Sequence, residues 1–304
     1  MSSSRHDIRV VVFDLGGVLV DDMHNQMLKD FLYEKNAKLF PMNNNYSGGN
    51  EIQKNQNPPR SEDLELDSVV SKEFAVVHEI GERLMLQWKE GRGNIDEDLF
   101  WSKIIEESGP ILQGHATVQL FKDRLRRNHM RLFLSSCNIA RRISARGYRI
   151  AILSNHTKEW TEYLFSRFSF MFSASPFSAH HHHESSDFAP PTTYSPVFDE
   201  PMLQVVSCHP DIACSKPSRE IYEKLMTRIT SARELGDCEP RHVLFIDDKM
   251  RNVAAARDFG LNAFCFDARK AGEKTLVRML AEYGVDAACL CDEEEQKMQK
   301  RPQN

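Results

Sequence analysis

The stretch Ile8-Arg9-Val10-Val11-Val12-Phe13-Asp14-Leu15-Gly16-Gly17-Val18 decides the fold. From Ile8 to Phe13 it is β-branched and aromatic without polar alternation, which predicts a strand buried on both faces, as inside a parallel sheet. The run ends on Asp14, and an ionised carboxylate at the end of a buried strand is costly unless a cation or a ring of donors meets it. Gly16 and Gly17 then allow the backbone positive φ and a close approach to a ligand. Ligands of open α/β sheets gather at this end of the strands. The stretch alone supports two readings of Asp14 equally: a carboxylate that works on a ligand, and one that caps a turn.

Four further short apolar runs follow, at Tyr148–Leu153, Leu203–Val206, His242–Ile246 and Asn262–Phe266. The first of these ends on Ser154-Asn155 and the third on Asp247-Asp248. Helical spacing predicts helices over Glu159–Phe172, Arg219–Ile229, Asn252–Phe259 and Ala271–Tyr283, with Gly260 and Gly284 as stops. Strands alternating with helices imply a parallel α/β sheet. Ahead of the second helix stands Ser215-Lys216-Pro217-Ser218. Pro217 suits a first helical position, which would hold Lys216 just outside the helix, its ammonium beside any anion the N-terminus attracts. The commoner fate of a lysine is a solvated surface, and the spacing leaves both open.

Between the first two strands the pattern is helical, over Asp21–Phe40, Phe74–Trp88, a segment from Asp96 ended by Gly109-Pro110, Thr117–Arg131 and Cys137–Arg146. Asp96 reads as an N-cap with Ile95 stapled to Phe100, after a break at Gly91-Arg92-Gly93. Residues 41–70 turn to Asn, Gln, Ser, Gly, Pro and charge, and predict a disordered insertion. Residues 173–196 form a second low-complexity loop containing His180 to His183. Consecutive histidines cannot all face one ion, so a loop is favoured over a metal site. The chain thus divides into an α/β core of 1–20 and 136–304 and a helical module of 21–135.

A formal net charge of -5 argues against nucleic-acid or anionic-membrane partners. The basic clusters Arg124-Leu125-Arg126-Arg127 and Arg141-Arg142 read as solvated helix faces. The seven cysteines show no paired spacing, as expected of small core residues in a reducing compartment. No signal region or membrane-length apolar run is present, so a soluble cytoplasmic protein is expected.

The strand ends carry Asp14, Ser154-Asn155 and Asp247-Asp248, with Lys216 nearby. Brought to one edge, the carboxylates and a backbone carbonyl would make a hard oxygen site for Mg²⁺, which shares its shell with a phosphate. Lys216 and the Ser154 hydroxyl would meet the other phosphate oxygens, leaving Asp14 to attack phosphorus in line.

On Asp14-Leu15-Gly16-Gly17-Val18, Leu153-Ser154-Asn155, Lys216-Pro217 with Glu220-Ile221-Tyr222, and Phe245-Ile246-Asp247-Asp248 with Asn252 and Gly260, the chain resembles the haloacid dehalogenase-like (HAD) hydrolase superfamily. The stretch Gly93–Trp101 looks like the helical cap of the branch that includes glucose-1-phosphate phosphatases and the phosphatase domain of soluble epoxide hydrolases. The resemblance implies a Rossmannoid core with a central parallel sheet and an inserted α-helical cap, and a Mg²⁺-dependent phosphatase acting on a small phosphorylated substrate such as a sugar phosphate. It makes Asp14 the nucleophile, Ser154, Asn155 and Lys216 the phosphate binders, and Asp14, the Gly16 carbonyl and Asp248 the metal ligands. Asp247 and Asn252 stand behind them, and the cap closes over the site to exclude water.

One position departs from the pattern. Phosphatases of this superfamily usually carry a general-acid Asp two residues after the nucleophile, and here that residue is Gly16. Loss of a positioned acid costs about 10²–10⁴-fold. The residues therefore also admit a catalytically weak phosphate-binding or scaffold protein. Dehalogenation through the same nucleophile is disfavoured, because Asp247 and Asp248 would repel a carboxylate substrate.

Overall fold

The computed structural model describes residues 7–21, 23–38, 61–89, 96–172, 196–232 and 234–288. Most of the 41–70 insertion, the 173–196 loop up to Ser195, the Gly91-Arg92-Gly93 break, the Ile95 staple and the charged tail lie outside these residues. Contacts divide the chain into two compact units, one of 1–21, 88–94 and 131–304, the other of 22–87 and 95–130.

The first unit is built on the strand that opens the chain. β1 (Val10–Phe13) has every residue fully buried, and it pairs in parallel with β2 (Arg149–Ser154) on one side and β4 (Val243–Asp247) on the other. β3 (Gln204–Val206) and β5 (Asn262–Cys265) complete a five-stranded sheet in the order β3-β2-β1-β4-β5. The register sets Phe13 opposite Ile152 and Ile246, so the next residue of each strand falls at one level: Asp14, Leu153 and Asp247.

Helices α7 (Arg219–Ser231) and α8 (Met250–Phe259) pack Ile221, Tyr222, Leu225, Val253 and Ala256 against Val10, Val12, Leu153 and Phe245. Each large aliphatic or Phe side chain buried here contributes about 1.5–3 kcal/mol, which holds the strand ends in place. Gly260 ends α8 at φ +108, a conformation that favours glycine. The outer edge of β5 is blunted because Arg257 Nε and the Tyr283 hydroxyl both donate to the Ala263 carbonyl, at 2.8 and 3.2 Å. This unit also carries α5 (Leu134–Ala145), α6 (Lys158–Arg167) and α9 (Glu273–Glu282). α6 stops five residues before the predicted end, where a turn lets Phe172 stack on Phe165 at 4.3 Å and on Phe198 at 5.6 Å.

The second unit is helical: α1 (Met23–Ala37), α2 (Ser61–Lys89), α3 (Glu97–Glu107) and α4 (Val118–Arg124), with a wide helical turn over Leu125–His129. Two expectations fail here. α2 begins at Ser61 rather than Phe74, because Leu66, Val70, Val77 and Leu84 form a buried stripe that the polar composition of 61–70 obscures. Arg124 and Arg126 are not solvated: Arg124 pairs with Glu34 and lies 5.6 Å over the Phe31 ring, and Arg126 pairs with the buried Glu97. In the first unit Arg142 likewise pairs with Glu273. The N-cap is as read, the Asp96 carboxylate accepting the Leu99 N–H at 2.7 Å. Among the described residues, no helix is long and apolar enough to cross a membrane. Cys137, Cys214 and Cys238 are buried, and Cys208 and Cys265 half-buried, none of the five in a disulfide.

Candidate active site

The parallel register gathers the strand-end residues at the carboxyl edge of the central strands. Asp14, Asp247 and Asp248 each offer a carboxylate oxygen, and these atoms all lie within 4.8 Å of one another. Three carboxylates this close form a hard oxygen donor set of the kind that suits Mg²⁺. The backbone makes room for it: Gly17 sits at φ +74, and a Cβ there would stand 2.5 Å from Asp248 Oδ2. A side chain at position 17 would thus displace the carboxylate, which is the physical reason for glycine.

Lys216 is the counter-ion. Its Nζ donates to Asp247 Oδ2 at 2.6 Å, to Asp14 Oδ2 at 3.0 Å and to the Leu153 carbonyl at 2.8 Å, and it lies 5.3 Å from the Phe245 ring. Sequence reasoning put this ammonium outside a helix N-terminus with Pro217 as first helical residue. Lys216 does lie just outside the helix, but Ser218 is the N-cap of α7 and Pro217 precedes it, and the ammonium is buried inward at 2% exposure rather than solvated. The two buried carboxylates draw the ammonium inward, whereas the positive end of the helix would repel it. The Lys216–Pro217 peptide is cis.

Asp247 is fully buried and accepts from the Lys249 N–H, Lys216 and the Asn252 amide, with Oδ1 at 2.8 Å from the first and 2.9 Å from the last. Burial works to raise its pKa, but Lys216 and these donors outweigh it and hold the group below the usual carboxylate range. Asp14 goes the other way. Burial, with Asp247 and Asp248 adding to it, pushes its carboxyl up to about 7 against the opposing pull of Lys216 and a hydrogen bond from Ser154. Lys216 is held above its ordinary value because the attraction of Asp14 and Asp247 exceeds the penalty of burial.

Ser154 is buried beside Asp14. Asn155 is turned to the chain instead: its Nδ2 donates to the Lys216 carbonyl and its Oδ1 accepts the Lys216 N–H, each at 2.8 Å, which ties the β2 loop to the lysine. Gly16 stands two residues after Asp14, with nothing within 4 Å of a Cβ built on it. Asn252 stands behind Asp247, and its backbone carbonyl accepts from the buried Tyr222 hydroxyl at 2.9 Å.

The family model described as haloacid dehalogenase-like hydrolase matches residues 8–260, which covers the Asp14 stretch, Lys216 and the Asp247-Asp248 pair. The chain belongs to the haloacid dehalogenase-like hydrolase family. Among solved structures, this HAD-like hydrolase is similar to a HAD family enzyme of Bacteroides thetaiotaomicron in complex with magnesium and inorganic phosphate, at 15% identity over 88% of this chain and 98% of that one, TM-score 0.46. A HAD-like family hydrolase from Porphyromonas gingivalis matches at 18% identity over 90% and 98%, TM-score 0.46. The L-2-haloacid dehalogenase of Xanthobacter autotrophicus matches at 17% over 90% and 83%, TM-score 0.43. No curated protein sequence matches the chain.

Sequence reasoning missed two residues that the HAD-like core brings to this edge, Asp267 and Arg269. They follow β5, whose Cys265 is opposite Asp247, and Arg269 Nη2 lies 3.0 Å from Asp248 Oδ2. The signal was available: a charged cluster directly after a predicted strand belongs to the same sheet edge as the other strand ends.

Proposed function

We propose that this HAD-like hydrolase is a Mg²⁺-dependent phosphomonoester phosphatase acting through an aspartyl-phosphate on Asp14. The observation that supports this most is the set of three carboxylates within 4.8 Å of one another, with the Lys216 ammonium 3.0 Å from Asp14 and 2.6 Å from Asp247. Asp14, Asp248 and the Gly16 carbonyl would hold the ion, with Asp247 and Asn252 orienting them. When bound, Mg²⁺ supplies charge neutralisation on the phosphoryl oxygens. Ser154 and the remaining amide hydrogen of Asn155 donate to those oxygens, and Lys216 exchanges part of its carboxylate contacts for them. Asp14 then attacks phosphorus, the bond to the substrate oxygen breaks, and that oxygen takes a proton from water. A second water attacks the phosphorus of the aspartyl-phosphate, releasing inorganic phosphate and restoring the carboxylate.

With glycine at 16, no carboxylic acid stands two residues after Asp14, which favours substrates whose leaving oxygen is already weakly basic, such as a sugar phosphate esterified at its anomeric carbon. A haloacid fits less well, because Asp247 and Asp248 would oppose its carboxylate. Purified protein is expected to release phosphate from p-nitrophenyl phosphate with Mg²⁺, to stop on chelation and to resume on readdition. Turnover indifferent to chelation would overturn the metal requirement. Absence of turnover on aryl, sugar, nucleotide and lipid phosphates would favour a weakly catalytic phosphate-binding protein.

Gly16 supports that second reading and also its test. A Cβ there meets no atom within 4 Å and the residue is not among the positive-φ positions, so the backbone accepts a side chain in Gly16→Asp. Turnover of an alkyl phosphate is expected to rise by about 10-fold or more in the variant, within the range a general acid contributes. An unchanged or lower rate with intact Mg²⁺ binding would show that the missing acid is not what limits this site.

A further inference from the structure

The loop after β5 is fastened to the site at three points. The Phe266 N–H donates to the Asp247 carbonyl at 3.0 Å, the Ala268 N–H donates to the Gly17 carbonyl at 2.8 Å, and Arg269 reaches Asp248. The guanidinium is itself aimed by Asp267: Nε donates to Asp267 Oδ1 at 2.7 Å, Nη2 to Asp267 Oδ2 at 3.1 Å, and the Arg269 backbone N–H to Oδ1 at 3.1 Å. The same Nη2 lies 3.0 Å from Asp248 Oδ2. The fork is therefore pre-set by one carboxylate and presented to another.

We propose that Arg269 is a positioning residue that competes with the divalent cation for Asp248, so that cation entry requires the guanidinium to give up Asp248 Oδ2. This rests on the reading of Asp14 and Asp248 as cation ligands given above. Two features make competition, rather than simple support, the better account. Asp248 has a constraint besides Arg269, because its carboxylate packs into the space left by the bare Cα of Gly17. Arg269 also has about a third of its side chain exposed, while Asp248 has only 6% exposed, so the arginine has water to swing into and the carboxylate does not. Anchored to Asp267, the displaced guanidinium stays at the rim of the site, where its charge favours an incoming phosphate.

Two binding constants with opposite expected shifts test this. Titration calorimetry of Mg²⁺ into the full-length cation-free protein is expected to show Arg269→Ala binding about fivefold or more tightly than wild type, because a positive charge beside the cation has been removed. Raising the salt concentration should narrow that gap. Inorganic phosphate, titrated in saturating Mg²⁺, is expected to bind the variant about fivefold or more weakly. Arg269→Lys, which keeps the charge but not the fork, should fall between the two for both ligands. If Arg269→Ala and Arg269→Lys both weaken Mg²⁺, or leave it unchanged, the arginine only supports Asp248 and the competition is overturned. If wild type and variants alike fail to bind Mg²⁺, the cation-site reading falls and takes this one with it.

Discussion

Asp14→Asn is expected to abolish phosphate release while leaving the protein folded. The amide keeps the side-chain volume and the oxygen that accepts the Leu15 N–H at 2.7 Å, and Lys216 retains Asp247 and the Leu153 carbonyl. It also removes one of three crowded charges, so the melting temperature should move little. What it loses is the nucleophile, and a loss of that kind is felt at about 10⁴-fold or more in kcat. The rate should be followed with p-nitrophenyl phosphate in saturating Mg²⁺, alongside circular dichroism of the same sample. Wild-type protein quenched in turnover should carry covalent phosphate released by hydroxylamine, and the variant none. A variant with a rate within about tenfold of wild type would remove Asp14 from the chemistry.

Lys216→Met is expected to have the largest effect on stability of any single change at the site. The ammonium is 2% exposed and stands between Asp14 and Asp247, the latter fully buried. Methionine matches the stem but leaves two carboxylates without their counter-ion, and breaking a buried pair in this way costs about 3–5 kcal/mol. Urea unfolding in chelator measures it. Adding Asp247→Asn to the variant should recover part of the loss, because one orphaned charge is then gone. Equal stability of Lys216→Met and wild type would mean that Lys216 does not neutralise this cluster.

The position of the carboxylate-bearing edge was legible from single residues. Val10–Phe13 is apolar at every position, which requires cover on both faces, and a strand so covered ends where the polar residue after it must be met by partners. The same logic applied to Ser154 and Asp247. The helical unit was legible in type but not in extent. The buried stripe of α2 starts with Leu66 and Val70 inside a segment whose overall composition is polar, and composition hides periodicity when the apolar face is narrow. Arg124 and Arg126 were misread for a related reason: a basic run shows charge but not whether a carboxylate such as Glu34 or Glu97 lies across from it.

The sequence by itself determined the parallel α/β architecture, the family, and which residues end the strands, because these follow from local hydrophobic patterning and short motifs. Only the tertiary structure decided that Lys216 turns inward between Asp14 and Asp247, that Asn155 grips the Lys216 peptide, and that Arg269 faces Asp248. These are contacts between residues at least 21 positions apart, set by strand order and register. Attraction between charges depends on distance in space, which no spacing along the chain encodes.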